Sequence, residues 1–190
     1  EIWIAVAERT GIAELRRTTR DEPDYDKLMR YRLDLLDKHG LRMSMIADVI
    51  AGMGPLEGAR EFLDDLRSRT QVILLSDTFE QFGRPLMQQL GWPTILCHQL
   101  IVEDDRIVNY QLRMQDQKRH AVKALKGLNF RVVAAGDSYN DTTMLGAADG
   151  GILFRPPQNV IDEFPQFPVT TNYDELREAF VRLSAGEMEP

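Results

Sequence analysis

The stretch Val132-Val133-Ala134-Ala135-Gly136-Asp137-Ser138-Tyr139-Asn140-Asp141 decides the fold prediction, because an apolar run ends in a glycine that two aspartates follow. A continuous apolar run of this kind is typical of a strand buried in a parallel sheet. In such sheets, ligands bind beyond the carboxyl ends of the strands. Carboxylate oxygens are hard ligands that suit Mg²⁺ better than zinc or copper. We therefore interpret Asp137 and Asp141 as a magnesium site, although either aspartate alone could merely cap a helix.

The hydrophobic pattern changes close to residue 54. Residues 1–54 carry helical patterns without a convincing strand, and Gly52-Met53-Gly54-Pro55 is interpreted as a hinge. Across residues 55–190, helices alternate with continuous apolar strands, which indicates a mainly parallel sheet covered on both faces. The predicted fold class is α/β, with a Rossmann-like parallel sheet core, helices on both faces and a small helical cap region at 1–54.

Local signals predict individual elements of the core. Thr78-x-x-Gln81 has the spacing of a capping box and predicts the start of a helix. The other predictions are a short strand at Thr94–Cys97, a hairpin of Leu100–Val102 with Ile107–Leu112, and a mostly irregular stretch at Arg155–Pro168.

Composition limits the classes of partner. The formal net charge of -7, without a cluster of lysine and arginine, argues against nucleic acid. No apolar run approaches membrane-spanning length, which argues against a membrane partner. The single cysteine, Cys97, excludes an internal disulfide and fits a reducing compartment, so we expect a cytoplasmic location. The sequence leaves the oligomeric state open, with a homodimer among the options.

Two further segments carry groups that can bind phosphate. Ser76-Asp77-Thr78 follows an apolar strand, and its hydroxyls and successive backbone N–H groups can cradle an anion. The alternative is simple helix capping by Ser76 or Thr78. Lys118 lies at the start of a predicted helix, where a cation opposes the helix dipole, so phosphate binding would explain its placement. The alternative for Lys118 is a solvated surface lysine.

Taken in order, these segments resemble the later motifs of the haloacid dehalogenase superfamily of phosphohydrolases. The resemblance spans essentially the whole chain, and the ordered set is more specific than any one motif. Within the superfamily, the chain is most similar to phosphoserine phosphatases, in particular to the bifunctional type that also transfers phosphate from phosphoserine to homoserine. The stretches that carry this closer similarity are Pro23-Asp24-Tyr25-Asp26, Leu75-Ser76-Asp77-Thr78-Phe79, Gly136–Leu145 and Glu163-Phe164-Pro165-Gln166-Phe167-Pro168.

The resemblance implies a Mg²⁺-dependent phosphatase that acts through an aspartyl-phosphate. Asp137 would hold the metal, Asp141 would order the coordination shell, and Asn140 would orient Asp141 or touch the substrate. The residues that would contact the phosphoryl group or its nucleophile are Ser76, Asp77, Thr78 and Lys118.

The resemblance also assigns three residues of the cap region to the amino acid part of the substrate. Arg30 would bind the carboxylate through its planar guanidinium. Glu1 would accept a hydrogen bond from the ammonium group, and Tyr25 would close the apolar side. From the residues alone, Arg30 could equally be a solvated cation on a helix face.

The family's first motif, a strand that ends in D-x-D or D-x-E, is absent from this chain. Its leading aspartate is the nucleophile in the family, where the motif lies a few residues before the position of Glu1. We therefore expect that motif and the first strand of the core upstream of Glu1. Three alternatives stay open: an inactive fragment that binds Mg²⁺ or phosphate, a phosphoacceptor receiver module, and a phosphatase for another small phosphomonoester. The receiver module is weakly supported, because its acidic pair precedes the hydroxyl and the lysine.

Overall fold

The structure of the protein, a computed structural model, describes residues 2–18, 21–22 and 24–185. In chain order, the helices and strands are α1 (Ile2–Thr10), α2 (Tyr25–Lys38), α3 (Met43–Ala51), α4 (Ala59–Arg69), β1 (Ile73–Phe79), α5 (Glu80–Gln89), β2 (Thr94–Glu103), β3 (Arg106–Gln111), α6 (Gln117–Gly127), β4 (Val133–Gly136), α7 (Tyr139–Ala147), β5 (Gly150–Phe154), α8 (Gln158–Glu163), β6 (Val169–Thr170) and α9 (Tyr173–Ser184), with a 3-10 turn at Ala13–Arg16. Within the described ranges, no helix combines the length and apolar character needed to cross a bilayer.

The chain divides into two compact units. The first unit contains Glu1–Leu56 and Ser76–Arg113, and the second contains Glu57–Leu75 and Met114–Pro190. This grouping by contact places Ser76–Arg113 with the helical region rather than with the rest of the predicted core. The division into a cap region at 1–54 and a core at 55–190 therefore stays a prediction.

Apolar stripes on the helices build the core of the first unit. Leu28, Met29 and Leu36 form one face of α2 and are almost completely buried. The helix ends as its sequence predicts, because Gly40 has a φ of +62° and the N–H of Leu41 donates to the carbonyl of Leu36 at 2.8 Å. His39 is the C-terminal cap of the helix.

The first unit also contains most of a three-stranded sheet in the order β1-β2-β3, which β1 enters from Ser76 onward. Strands β2 and β3 form the predicted antiparallel hairpin, in which Leu100 pairs with Tyr110 and Ile101 pairs with Asn109. Two predictions of detail were wrong. The predicted short strand at Thr94–Cys97 is continuous with the hairpin strand, since β2 runs to Glu103. In addition, β1 continues through Thr78, so the predicted capping box does not form.

A parallel sheet in the order β4-β5-β6 forms the centre of the second unit. Gly136, at the end of β4, pairs with Leu153 of β5, which is completely buried. The prediction of an α/β fold with a parallel sheet and flanking helices is confirmed. The stretch predicted as mostly irregular contains α8, whose residue Val160 is completely buried.

Candidate active site

The stretch that decided the fold prediction places three charged side chains together in the second unit. Strand β4 ends at Gly136, Ser138 adopts the extended conformation of a helix cap, and α7 begins at Tyr139. This short turn brings Asp137 and Asp141 to the end of the strand, where Lys118 from the first turn of α6 meets Asp141. We call Lys118, Asp137 and Asp141 the carboxylate centre.

Asp141 is the most firmly held residue of the carboxylate centre. Its Oδ1 accepts from the Lys118 ammonium at 2.8 Å. Its Oδ2 accepts from the backbone N–H groups of Asp137 at 3.0 Å and Ser138 at 3.2 Å, and from the Ser138 hydroxyl at 3.1 Å. The residue is only 5% exposed. Because both oxygens are bonded, Asp141 fixes the turn that carries Asp137.

The two aspartates have opposite pKa shifts. Water is displaced from part of the Asp137 carboxyl and the charge of Asp141 lies beside it, so the pKa of Asp137 is raised. Burial on its own would raise the pKa of Asp141, but the Lys118 charge and the hydrogen bonds outweigh it, and that pKa is lowered. Asp137 is also exposed to solvent. A hard cation beside Asp137 would relieve the repulsion between the carboxylates, which fits Mg²⁺.

The donor set of the carboxylate centre is small. Across the part of the chain that the structure describes, no group of three or more histidine, cysteine, aspartate or glutamate side chains could hold a metal ion. Mg²⁺ is commonly bound by one or two carboxylates, with water and substrate phosphate as the other ligands. Asp137 fits the role of a direct ligand, and Asp141 fits the role of an ordering residue because its oxygens are already bonded.

Lys118 is held rather than solvated, so the alternative of a surface lysine does not hold. Its side chain is 12% exposed in the ion pair with Asp141. The residue that precedes α6, Asp116, has a φ of +51°, an uncommon conformation for a residue with a side chain. The Thr143 hydroxyl of α7 donates to the Asp116 carboxylate at 2.8 Å. This bond ties the start of α6 to the helix that carries Asp141.

The phosphate-binding segment predicted at Ser76-Asp77-Thr78 belongs to the first unit. All three residues lie in β1, and the N–H of Thr78 donates to the Ser76 hydroxyl at 3.2 Å. The N-cap of α5 is Phe79, which makes no side-chain cap, and Ser76 and Thr78 lie inside β1, so the helix-capping alternative for these two residues does not hold. The predicted convergence of this segment with the carboxylate centre stays a prediction.

Beside Asp77 lies a buried histidine. His98 Nε2 is 3.8 Å from the Asp77 carboxylate, and the histidine is 4% exposed. The backbone N–H of Arg113 donates to His98 Nδ1 at 3.1 Å, which assigns the ring proton of a neutral imidazole to Nε2, on the side of Asp77.

The residues predicted to bind the amino acid part of the substrate lie in the first unit, except that Glu1 is outside the described residues. Burial, and to a smaller extent the charge of Asp77, raises the pKa of Tyr25 to about 12. Tyr25 and Asp77 are therefore neighbours. Arg30 donates to the Asn109 amide oxygen at 2.8 Å. Asn140 is exposed, and among the described residues the hydrogen bonds to Asp141 come from other side chains and from the backbone.

Sequence reasoning missed the roles of two residues that shape these sites, Gly136 and Asn109. A Cβ built on Gly136 would lie 2.4 Å from Asp141 Cβ, so only glycine leaves room for that aspartate. The position of the glycine before the first aspartate was the available signal. Asn109 had no comparable signal, because 79 residues separate it from Arg30.

Replacing Lys118 with methionine is expected to destabilise the protein by about 3 kcal/mol, because it leaves the buried Asp141 carboxylate without its cation. Lys126→Met is the matched control, since the Lys126–Asp149 pair is about one third exposed and should contribute about 1 kcal/mol or less. Urea unfolding of both variants measures the difference. Equal losses of stability would contradict the assignment of Lys118 to a buried pair.

An α/β fold in which a parallel sheet ends in paired carboxylates beside a buried lysine is typical of enzymes that transfer phosphoryl groups. The family model described as haloacid dehalogenase-like hydrolase matches residues 4–149. The chain therefore belongs to the haloacid dehalogenase-like hydrolases, which confirms the predicted family.

Two curated relatives match nearly the whole chain. One, named phosphoserine phosphatase, comes from Pseudomonas syringae pv. tomato and is 60% identical over 99% of this chain and 80% of its own length. The other, named phosphoserine phosphatase ThrH, comes from Pseudomonas aeruginosa and is 60% identical over 99% of this chain and 92% of its own length. A solved phosphoserine phosphatase with an analogue of its phospho-aspartyl intermediate matches with a TM-score of 0.75 and 20% identity, over 94% of this chain and 90% of that chain. The last likeness shows the shared fold.

Proposed function

We propose that the protein is a Mg²⁺-dependent phosphoserine phosphatase that acts through an aspartyl-phosphate, and that it also transfers phosphate from phosphoserine to homoserine. The observation that carries this proposal is the 60% identity, over 99% of the chain, to relatives named phosphoserine phosphatase. The geometry of the carboxylate centre supports it, because a fixed carboxylate pair beside a lysine suits phosphoryl transfer. Transfer to homoserine is supported by the sequence resemblance to bifunctional enzymes. The proposal includes a cytoplasmic location and a small-molecule substrate, with a homodimer as an option.

In the proposed mechanism, the charged residues offset the repulsion between an attacking carboxylate and a phosphate. Asp137 would hold Mg²⁺, which supplies positive charge to the transferring phosphoryl group. Asp141 would keep Asp137 and Lys118 in place through its bonds to both. The Lys118 ammonium would balance charge on the phosphate and on the attacking carboxylate.

The strand-end segment would bind the phosphoryl oxygens. Ser76, whose oxygen accepts from the N–H of Thr78, would donate its hydroxyl hydrogen to the phosphate. The Asp77 backbone would add a second donor. A covalent aspartyl-phosphate divides one difficult displacement into two easier ones. Water would accept the phosphoryl group in hydrolysis, and homoserine would accept it in transfer.

A phosphate-release assay with phosphoserine, phosphothreonine and sugar phosphates, with and without Mg²⁺, tests the proposed hydrolysis. We expect phosphoserine to be preferred and release to need the metal. Preference for a sugar phosphate would instead favour a phosphatase for another phosphomonoester. Adding homoserine and separating the products tests transfer, since phosphohomoserine should form while less inorganic phosphate is released.

Replacing Arg30 with alanine is expected to raise KM for phosphoserine about tenfold or more, because a charge-assisted bond to the substrate carboxylate is lost. A generic aryl phosphate, which has no such carboxylate, should lose far less. Arg16→Ala is the matched control, since Arg16 is 51% exposed in an ion pair with Glu8 and has no proposed role in binding. Equal losses on both substrates would show that Arg30 does not bind the carboxylate.

A further inference from the structure

Arg30 is a solvent-exposed arginine whose guanidinium is nevertheless held by three neighbours. Its side chain is 52% exposed, which normally allows an arginine to sample many conformations. Here its Nη1 donates to the Asn109 amide oxygen at 2.8 Å, its Nε lies 3.5 Å from Asp26, and its Cζ lies 5.4 Å from the centre of the Tyr110 ring. Asn109 and Tyr110 are consecutive residues of β3. The hairpin therefore restrains Arg30 while leaving half of its side chain accessible.

The amide oxygen of Asn109 is a fixed and neutral acceptor. Besides the bond from Arg30, it accepts from the backbone N–H of Tyr110 at 2.9 Å. The second bond sets the orientation of the amide, because β3 is paired with β2 at this point and its backbone is fixed. An uncharged acceptor orients a guanidinium without neutralising its charge. A carboxylate at the same place would compete directly with an anionic ligand.

Tyr110 contacts both members of the Arg30–Asp26 pair. Its ring lies against the guanidinium at cation–π distance, and its hydroxyl donates to the Asp26 carboxylate. Burial and the hydrogen bond to Asp26 raise the pKa of Tyr110 to about 12, so the phenol stays protonated and remains a donor at neutral pH. Asp26 is thus bonded to the phenol, and it stands 3.5 Å from Arg30 rather than at the distance of a close ion pair.

We propose that Asn109 and Tyr110 are positioning residues that hold Arg30 ready for the carboxylate of the substrate, Asn109 by orienting the guanidinium and Tyr110 by drawing Asp26 away from it. This inference rests on the proposed phosphoserine activity and extends it to residues outside the family's motifs. Through these two residues, the β2–β3 hairpin determines the preference for phosphomonoesters that carry a carboxylate group, such as phosphoserine, over those that lack one.

A structural role alone would not explain this arrangement. If the cluster merely stabilised the hairpin, an arginine paired closely with Asp26 would serve as well and would need no neutral acceptor. The observed contacts instead keep the positive charge partly uncompensated and accessible. Restraint of this kind lowers the entropy that a side chain loses when it binds a ligand.

The experiment compares phosphoserine with phosphoethanolamine, which lacks the carboxylate, in the full-length protein. The readout is the ratio of the two kcat/KM values, because loss of stability alone would lower both substrates together. The unaltered protein should favour phosphoserine strongly, and Asn109→Ala should reduce the ratio about fivefold to tenfold. Asn109→Asp should reduce it further, because it adds a competing carboxylate. Gln111→Ala, an exposed change on the same strand, should leave the ratio unchanged.

The role of Tyr110 is tested by a rescue. Tyr110→Phe keeps the ring but releases Asp26, so the ratio should fall about threefold to fivefold through KM for phosphoserine. Adding Asp26→Asn to that variant should restore the ratio, because the released competitor loses its charge. Failure of the rescue, or an unchanged ratio in both Asn109 variants, would overturn the inference. Equal turnover of the two substrates by the unaltered protein would contradict the proposed function instead, so the two failures are distinguishable.

Discussion

Asp137→Asn is expected to abolish Mg²⁺-dependent phosphate release, with a loss of about 100-fold or more in kcat/KM for phosphoserine. Asparagine keeps the size of the side chain but removes the charge that would hold the metal. The pKa of Asp137 is raised because part of the carboxyl is desolvated and Asp141 lies beside it. Removal of that charge relieves the repulsion between the two carboxylates, so the variant should fold at least as stably as the unaltered protein. Activity and stability are therefore expected to change in opposite directions.

The matched control for this prediction is Asp162→Asn. Asp162 lies in α8 of the same unit, is exposed and accepts a hydrogen bond from Gln158 at 2.8 Å, so the change removes one charge away from the carboxylate centre. Two measurements should distinguish the variants: phosphoserine turnover as a function of Mg²⁺ concentration, and the free energy of unfolding in urea. Near-normal turnover of Asp137→Asn at saturating Mg²⁺ would exclude Asp137 as the metal ligand. Equal loss in both variants would show a general effect of charge.

Those parts of the fold that depend on local pattern could be predicted from the sequence. The helices predicted within residues 1–54 are an example: α3 ends at Ala51, directly before the predicted hinge, since its apolar spacing and the following glycine act within one segment. The capping box at Thr78 and Gln81 failed because a long-range contact prevailed. Gln81 instead bonds both backbone groups of Leu100 in β2, at 2.8 and 3.0 Å, while β1 continues through Thr78. Helix α8 was missed because six residues carry little periodic signal, and the burial of Val160 by tertiary packing stabilises it.

The same distinction applies to the candidate site: contacts within one short motif could be predicted, and contacts between residues far apart in the sequence could not. The pairing of Asp137 with Asp141 could be inferred from one short motif, since a strand, a turn and a helix start fix their spacing. The bond from Lys118 to Asp141 could not be inferred in the same way. Lys118 precedes Asp141 by 23 residues, and only the packing of α6 on α7 brings the two side chains together. The contact between Arg30 and Asn109 is the clearest example, because the two residues are 79 positions apart and neither local sequence contains a motif that indicates it.

Gly136→Ala is expected to remove most of the activity although it changes no charged or polar side chain. Gly136 does not have a positive φ, so its backbone conformation does not exclude alanine. The obstacle is space, because the new Cβ would lie 2.4 Å from Asp141 Cβ, 2.6 Å from its Cγ and 2.8 Å from its Oδ2. Asp141 would have to move, and its bonds to Lys118 and to the turn would break. We expect a loss of about 100-fold in kcat/KM and of about 1–3 kcal/mol in stability.

Gly146→Ala supplies the control within the same helix-and-turn segment. Apart from its chain neighbours and the backbone of its own helix, a Cβ on Gly146 would meet no heavy atom within 4 Å, and alanine is favoured over glycine inside a helix such as α7. That variant should keep full activity and gain about 0.5–1 kcal/mol in stability. Turnover of phosphoserine and urea unfolding of both variants measure the contrast. If Gly136→Ala kept normal turnover, the position of Asp141 would not matter for catalysis. If it lost stability but not activity, Gly136 would serve packing alone, and the role of Asp141 in ordering the carboxylate centre would have to be abandoned.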